Sequence, residues 1–171
     1  IEFDKIPSRA GMIYKNAFAR HDLERVKSEK EVQTYADFAK DTTKKVNAKV
    51  LYPYECVAEA VKASNVGYGY GYSYNRTNYV DADTNRAMVN KYWENLTDYF
   101  NEKSFNGLAV VDTSGSMTWS GGAAAPINVA ISLGLYCAEK AKGPFAGHYV
   151  SFSSRPQLIE TTGVDFCDKV R

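Results

Sequence analysis

A chain of 171 residues, of which 44% are hydrophobic, can bury an ordinary core, and its length predicts one domain or one domain with a sizeable attachment. Its 21 lysine and arginine residues balance 20 aspartate and glutamate residues, so no global field would draw the protein onto nucleic acid or an anionic membrane. Its apolar stretches are shorter than the roughly 20 residues that cross a bilayer. We therefore expect no membrane partner, and any basic site must be local.

The three cysteines, Cys56, Cys137 and Cys167, are odd in number and form no C-x-x-C pair. Their spacing argues against a disulfide framework and against a zinc ribbon. Each is more simply interpreted as a small core residue, and we expect a reducing, cytoplasmic compartment. The chain starts at Ile1 with no signal-like segment behind it, so we expect it to be a piece of a longer protein.

Residues 1–64 are predicted to form an all-helical region. Apolar residues recur at helical spacing in three stretches, which predicts helices over Tyr14 to about Val26, Val32 to about Asp41, and Pro53 to Ala63. Between the second and third helices, Lys44, Lys45 and Lys49 would be able to contact phosphate. A solvated helix end explains these lysines equally well.

Residues 65–82 contain a Tyr/Gly-rich segment without helical periodicity, which we interpret as a loop or an insertion. Tyr70 and Tyr72 would be able to stack on bases, with Arg76 adding charge, as aromatic platforms do in proteins that bind single strands. Because no basic cluster adjoins them, we favour the simpler interpretation of a loop that is mobile or packs on a partner.

Residues 83–106 are predicted to hold a long connecting helix, capped by Asp83 and ending near Lys103. After Gly107 the pattern changes to a continuous apolar run, Leu108 to Val111, which is typical of a strand buried on both faces. The chain therefore changes from helices to a sheet at this point.

The rest of residues 107–171 completes the predicted sheet. Three elements follow: a buried helix from Pro126 to about Lys142, and strands over His148 to Phe152 and Gln157 to Glu160. The first two strands should be parallel through a right-handed crossover, and the third should pair antiparallel at an edge. The predicted class is α/β, with a mostly parallel sheet, an antiparallel edge strand and a preceding all-helical region.

The most informative stretch is Asp-Thr-Ser-Gly-Ser on the loop that leaves the first strand. Asp112, Ser114 and Ser116 place one carboxylate and two hydroxyls at alternate positions, and such hard oxygen ligands suit Mg²⁺. In open α/β sheets, ligands bind at the carboxyl ends of the strands. The rim of this site would be formed by Thr113, Gly115 and Trp119. A polar turn that caps the next helix is the simpler alternative. The flanking strand and helix favour the metal site.

A hydrophobic strand, an Asp-x-Ser-x-Ser motif and a following helix resemble the metal-ion-dependent adhesion site of von Willebrand factor A domains, over Leu108 to about Glu160. The resemblance implies a Rossmann-like sheet and a Mg²⁺ or Mn²⁺ ion that Ser114 and Ser116 contact directly, with Asp112 bound directly or through water. It also implies a free position for an acidic group of a protein partner. Family members add a Thr and an Asp from later loops, so residues 107–171 would be the N-terminal part of a truncated domain.

The overall layout, a helical segment ahead of such a domain, is similar to that of TROVE-type Ro ribonucleoproteins and of uncharacterised phage and plant proteins. This second resemblance implies RNA binding by the helical region as an alternative function, with the second domain structural. It also places a phage or virus genome among the expected sources. Residues 1–106 contain no specific RNA-binding motif to support it.

Enzyme classes find little support in the sequence. Ser114 stands where aspartic proteases have the Gly of Asp-Thr-Gly, and where aspartyl phosphotransferases of the haloacid dehalogenase type need a second Asp. No G-x-S-x-G elbow and no G-x-x-x-x-G-K-[ST] loop occur. We therefore expect a binding protein rather than an enzyme, one that uses a divalent metal to recognise an acidic group of a protein partner.

Overall fold

The fold of the chain is known for most of its length. The computed structural model describes residues 1–29, 31–63, 79–100, 103, 105–119 and 122–171. These residues divide into two compact units, 1–51 with 79–97 and 52–63 with 98–171. No helix in the described ranges is long and apolar enough to cross a membrane. The predicted division into domains stays a prediction.

Among the described residues, the three strands all lie in the second half of the chain. The described elements are, in chain order, α1 (Ser8–Ile13), α2 (Lys15–Ser28), α3 (Tyr35–Lys40), α4 (Pro53–Ala63), α5 (Ala82–Glu94), β1 (Ala109–Asp112), α6 (Pro126–Lys140), β2 (His148–Phe152), β3 (Gln157–Glu160) and α7 (Phe166–Lys169). The predicted α/β class with a partly parallel sheet is confirmed at this coarse level. A full Rossmann-like layout is not present in the described residues.

The first unit packs around an aromatic cluster. The Phe3 ring lies 5.5 Å from Tyr35, 5.6 Å from Phe38 and 5.9 Å from Phe18, measured between ring centroids. Such edge and tilted arrangements are favourable for aromatic pairs. The cluster joins the N-terminal residues to α2 and α3.

The long connecting helix was predicted with the wrong ends. Its cap is Asp81, whose Oδ1 accepts from the Thr84 backbone N–H at 2.8 Å, rather than Asp83. The helix ends at Glu94 and not near Lys103. Its end has a physical cause, because Leu96 leaves the helix to form a parallel bridge with Ala48.

The sheet of the second unit has the order β1-β2-β3. Its central register is Val110 opposite Val150 in the parallel pair, and Val150 opposite Leu158 in the antiparallel pair. The three predicted strands and their directions are therefore confirmed. The predicted hand of the crossover stays a prediction.

α6 covers one face of this sheet at close range. Val111 is only 4% exposed, and a Cβ added at Gly134 would lie 2.4 Å from its Cγ2. The opposite face is open: Val110 is 67% exposed, and Phe152 and Leu158 are also exposed. The prediction that this strand is buried on both faces was therefore wrong, because a three-stranded sheet with its helix on one side buries one face.

α6 itself is buried on one side only. Leu135 is 1% exposed while Leu133 is 52% exposed, so the prediction of a buried helix is correct for one side of it only. The buried side packs against α4 and the sheet. The cysteine prediction holds for Cys56 in α4 and Cys167 in α7, which are buried, and Cys137 in α6 is half-buried.

Candidate metal-binding loop after the first strand

Asp112 is the last residue of the first strand and lies at its carboxyl end. The Thr113 backbone N–H donates to the Phe152 carbonyl at 2.9 Å, which holds the start of the loop beside β2. Side chains alternate along a strand, so Asp112 lies on the same face as Val110, away from α6. The carboxylate therefore stands on the open side of the sheet.

A short turn brings the two serine hydroxyls together. Residues Gly115–Thr118 form a 3-10 turn in which the Met117 N–H donates to the Ser114 carbonyl at 3.0 Å. This turn places Ser114 Oγ 3.1 Å from Ser116 Oγ. Ser116 is exposed and Ser114 is half-buried. The hydroxyl pair is therefore accessible from solvent.

Ser114 also fixes the charge of Asp112. Hydrogen bonds from the Ser114 hydroxyl and from its backbone N–H, the latter 2.9 Å from Asp112 Oδ1, hold the pKa of this carboxyl below its usual value. Donors that point at a carboxylate favour its charged form. Asp112 is therefore ionised at neutral pH.

These oxygens fit a small divalent cation in part. Adjacent oxygen ligands of an octahedral Mg²⁺ lie about 3.0 Å apart, close to the separation of the two hydroxyls. Within the described part of the chain, no group of three or more His, Cys, Asp or Glu residues is arranged so that it could hold a metal ion. The loop therefore offers one carboxylate and two hydroxyls, and water would have to supply the remaining ligands.

The same bonds also make a stable turn without any ion. An Asp side chain that accepts from the backbone N–H two residues later is the usual Asx turn. It is not a cap of α6, however, because the N-cap position of that helix is Ala125, which has no side-chain bond. The alternative of a helix-capping turn is therefore not what this geometry provides.

The three predicted rim residues have different surroundings. Thr113 Oγ1 donates to the Phe152 carbonyl at 3.4 Å, so this side chain is bound to the end of β2. A Cβ added at Gly115 would meet no atom within 4 Å, which leaves open space above the turn. Trp119 is 80% exposed.

The predicted nucleic-acid contacts, Tyr70, Tyr72 and Arg76, lie outside the described residues. Sequence reasoning missed a different group, in which Lys40 and Lys91 line a pocket of the first unit. A signal existed for Lys91, because it lies three residues after Met88 on the apolar side of α5 and both are buried.

Comparisons with known proteins bear on the region of the loop. Residues 106–171 match the family model of a domain of unknown function, DUF7788. The whole chain aligns at 32% identity over 180 residues with the uncharacterized protein L728 of Acanthamoeba polyphaga mimivirus. The chain spans 27% of the length of that relative. No solved structure matches the present chain significantly.

These findings overturn the resemblance to von Willebrand factor A domains. The model that matches the motif-bearing region is DUF7788, and the described sheet has three strands instead of the full sheet of such a domain. The resemblance to TROVE-type proteins and their phage and plant analogues was part of the same assignment and is wrong with it. The chemistry of the carboxylate and the two hydroxyls does not depend on either family.

Proposed function

We propose that the loop after β1 is a divalent-cation-dependent binding site. In this proposal Asp112, Ser114 and Ser116 hold a Mg²⁺ or Mn²⁺ ion, and an acidic group of a protein partner takes a further position on it. The observation that supports it best is the hydroxyl pair 3.1 Å apart beside a carboxylate that stays ionised at neutral pH. The open space above Gly115 gives a partner access.

The roles of the three side chains follow from their chemistry. Asp112 supplies the negative charge that draws the cation, and Ser114 and Ser116 supply directed neutral oxygens. One carboxylate leaves a net positive charge on the ion, which would favour an anionic ligand from a partner. With so few protein ligands, we expect an affinity for Mg²⁺ on the order of millimolar.

The first test is binding of the ion to the whole chain. Mn²⁺ is added to ¹⁵N-labelled protein, and we expect paramagnetic broadening of the amide signals of residues 112–118, reversed by a chelator. In Asp112→Asn the broadening should disappear, although the amide oxygen can still accept from the Ser114 N–H and keep the turn. Asp83→Asn, which removes an exposed carboxylate in α5, is the matched control.

Equal broadening in Asp112→Asn and in the unchanged protein would show that the ion does not bind at this loop. Absence of broadening up to tens of millimolar Mn²⁺ would leave the loop as a polar turn, and either result ends the proposal. If the ion binds, a short acidic peptide should bind more tightly with Mg²⁺ present than with chelator.

RNA binding by the helical region stays a second proposal. It can be distinguished from cation-dependent binding by its responses to salt and to a chelator. RNA affinity should fall steeply with salt and survive chelation. That the protein is not an enzyme also remains a proposal. A cytoplasmic location is a further proposal, and the cysteine pattern supports it. The mimivirus relative supports a viral source for this chain.

A further inference from the structure

A pocket of about 530 Å³ lies within the first unit, between α3, the loop after it and α5. Its lining includes four lysines, Lys40, Lys44, Lys45 and Lys91, against one acid, Glu94. Sites for small molecules commonly measure about 300–1,000 Å³. The pocket is therefore large enough for a nucleotide and has a strongly positive wall.

Lys91 is the buried member of this wall. It is 6% exposed, and its Nζ donates to the backbone carbonyls of Asp41 and Lys44 and lies 5.0 Å from the centre of the Phe38 ring. Carbonyl oxygens and an aromatic face replace the water that this ammonium has lost. Lys91 thus joins the loop to α5 and adds an ammonium group to the pocket wall, although burial lowers the pKa of this group.

The other three lysines are exposed, and their only electrostatic partners among the described carboxylates are neighbours at longer range, Asp37 and Asp81 for Lys40 and Asp41 for Lys44. Lys40, Lys44 and Lys45 form no ion pair with any described residue. A flexible ammonium with no fixed partner loses little when it turns to an incoming anion. These side chains are therefore available to a ligand.

Carboxylates near the lysines are held by their own local hydrogen bonds. Each accepts from a threonine and has a pKa below its usual value for that reason: Asp37 from Thr34, Asp41 from Thr43 and Asp81 from Thr84. The charges of these carboxylates reduce the positive potential around the lysines. Their oxygens, however, accept the hydrogen bonds of local turns and helix caps. Of the described residues that line the pocket, only Glu94 carries a carboxylate.

We propose that this pocket binds a phosphate ester, either a free nucleotide or one phosphate of a single-stranded nucleic acid. Lys44 and Lys45 would contact the phosphate oxygens, and the buried ammonium of Lys91 would stabilise the negative charge from behind. Charge-assisted hydrogen bonds from lysine suit this anion. The inference is independent of the cation-dependent loop, because the pocket lies in the other unit and needs no metal ion.

The test uses the whole chain with chelator present and three probes: inorganic phosphate, AMP and a fluorescent eight-nucleotide single-stranded RNA. In Lys44→Gln with Lys45→Gln, the affinity for whichever probe binds should fall at least about tenfold. The matched control, Lys27→Gln with Lys142→Gln, removes the same two charges at exposed positions elsewhere, and should change affinity less than about twofold.

A third variant tests the sign of the effect. Glu94→Gln removes the acid of the pocket and should tighten binding by roughly threefold. Tighter binding of RNA than of AMP, with a salt slope of about 0.7 per phosphate, would identify a nucleic acid as the source of the phosphate, and the reverse order a free nucleotide. The inference fails if no probe binds, or if the pocket and control variants weaken binding equally.

Discussion

The two faces of the three-stranded sheet have opposite surroundings although both are lined by apolar side chains. On one face Val111 is buried against Gly134 of α6, and on the other Val110, one residue earlier, is exposed with Phe152 and Leu158. The apolar run of β1 therefore does not predict that both faces of the strand are buried. It shows that these residues can be buried, but not whether a helix covers them. Both Asp112 and the proposed site belong to the open face.

The largest effect is expected from the helix that makes the two faces differ. Leu135→Ala should lower the free energy of unfolding by about 2–5 kcal/mol, because it leaves a cavity between α6 and the rest of the unit. Leu133→Ala, on the exposed side of the same helix, should change it by roughly 0.5 kcal/mol or less. Urea denaturation followed by circular dichroism measures both. Similar losses in the two variants would mean that α6 is covered on both sides in solution.

A smaller effect should appear in the strand itself when a hydroxyl replaces a methyl group. Val111→Thr should cost about 1–3 kcal/mol, since the covered face offers the hydroxyl no water. Val110→Thr should stay within about 0.5 kcal/mol, and threonine suits a strand equally well at either position. Thermal unfolding compares the pair. An equal cost at both positions, rising with protein concentration, would show that copies of the chain cover the open face.

The smallest effect concerns the titration of Asp112 on the open side. Because its pKa is lowered in the folded chain, its contribution to stability is present above the ordinary carboxyl value and is lost as the pH falls through the folded pKa. Ser114→Ala should raise the pKa of Asp112 towards its ordinary value, as followed by ¹³C NMR of the carboxyl carbon. Ser116→Ala should leave it nearly unchanged, because the Ser116 hydroxyl faces Ser114. An unmoved pKa in Ser114→Ala would remove Ser114 as its cause.

Sequence reasoning worked where local chemistry decides the outcome. Proline at the first turn predicted the start of α4 and α6, and two short β-like runs separated by a turn predicted β2 and β3. The spacing of Asp112, Ser114 and Ser116 was enough to predict that they share one loop. It was not enough to give the distance between the hydroxyls, which depends on the 3-10 turn.

The failures depended on contacts between distant parts of the chain. α5 ends early because Leu96 pairs with Ala48, and that pairing has no local signature. The lysines of the pocket come from two stretches about 50 residues apart, Lys40 to Lys45 and Lys91, so no sequence window holds them together. The family resemblance failed for a related reason, since a five-residue motif is compatible with more than one fold.

The reactivity of the cysteines in the second unit can be used to measure how often α4 separates from its neighbours. Cys56 on α4 is buried, and burial raises the pKa of its thiol, so a thiol reagent has neither access nor thiolate to react with in the closed state. Modification of Cys56 can proceed only when α4 separates from its neighbours. The labelling rate of Cys56 thus measures the frequency of this opening, and half-buried Cys137 on α6 gives an internal comparison in the same sample.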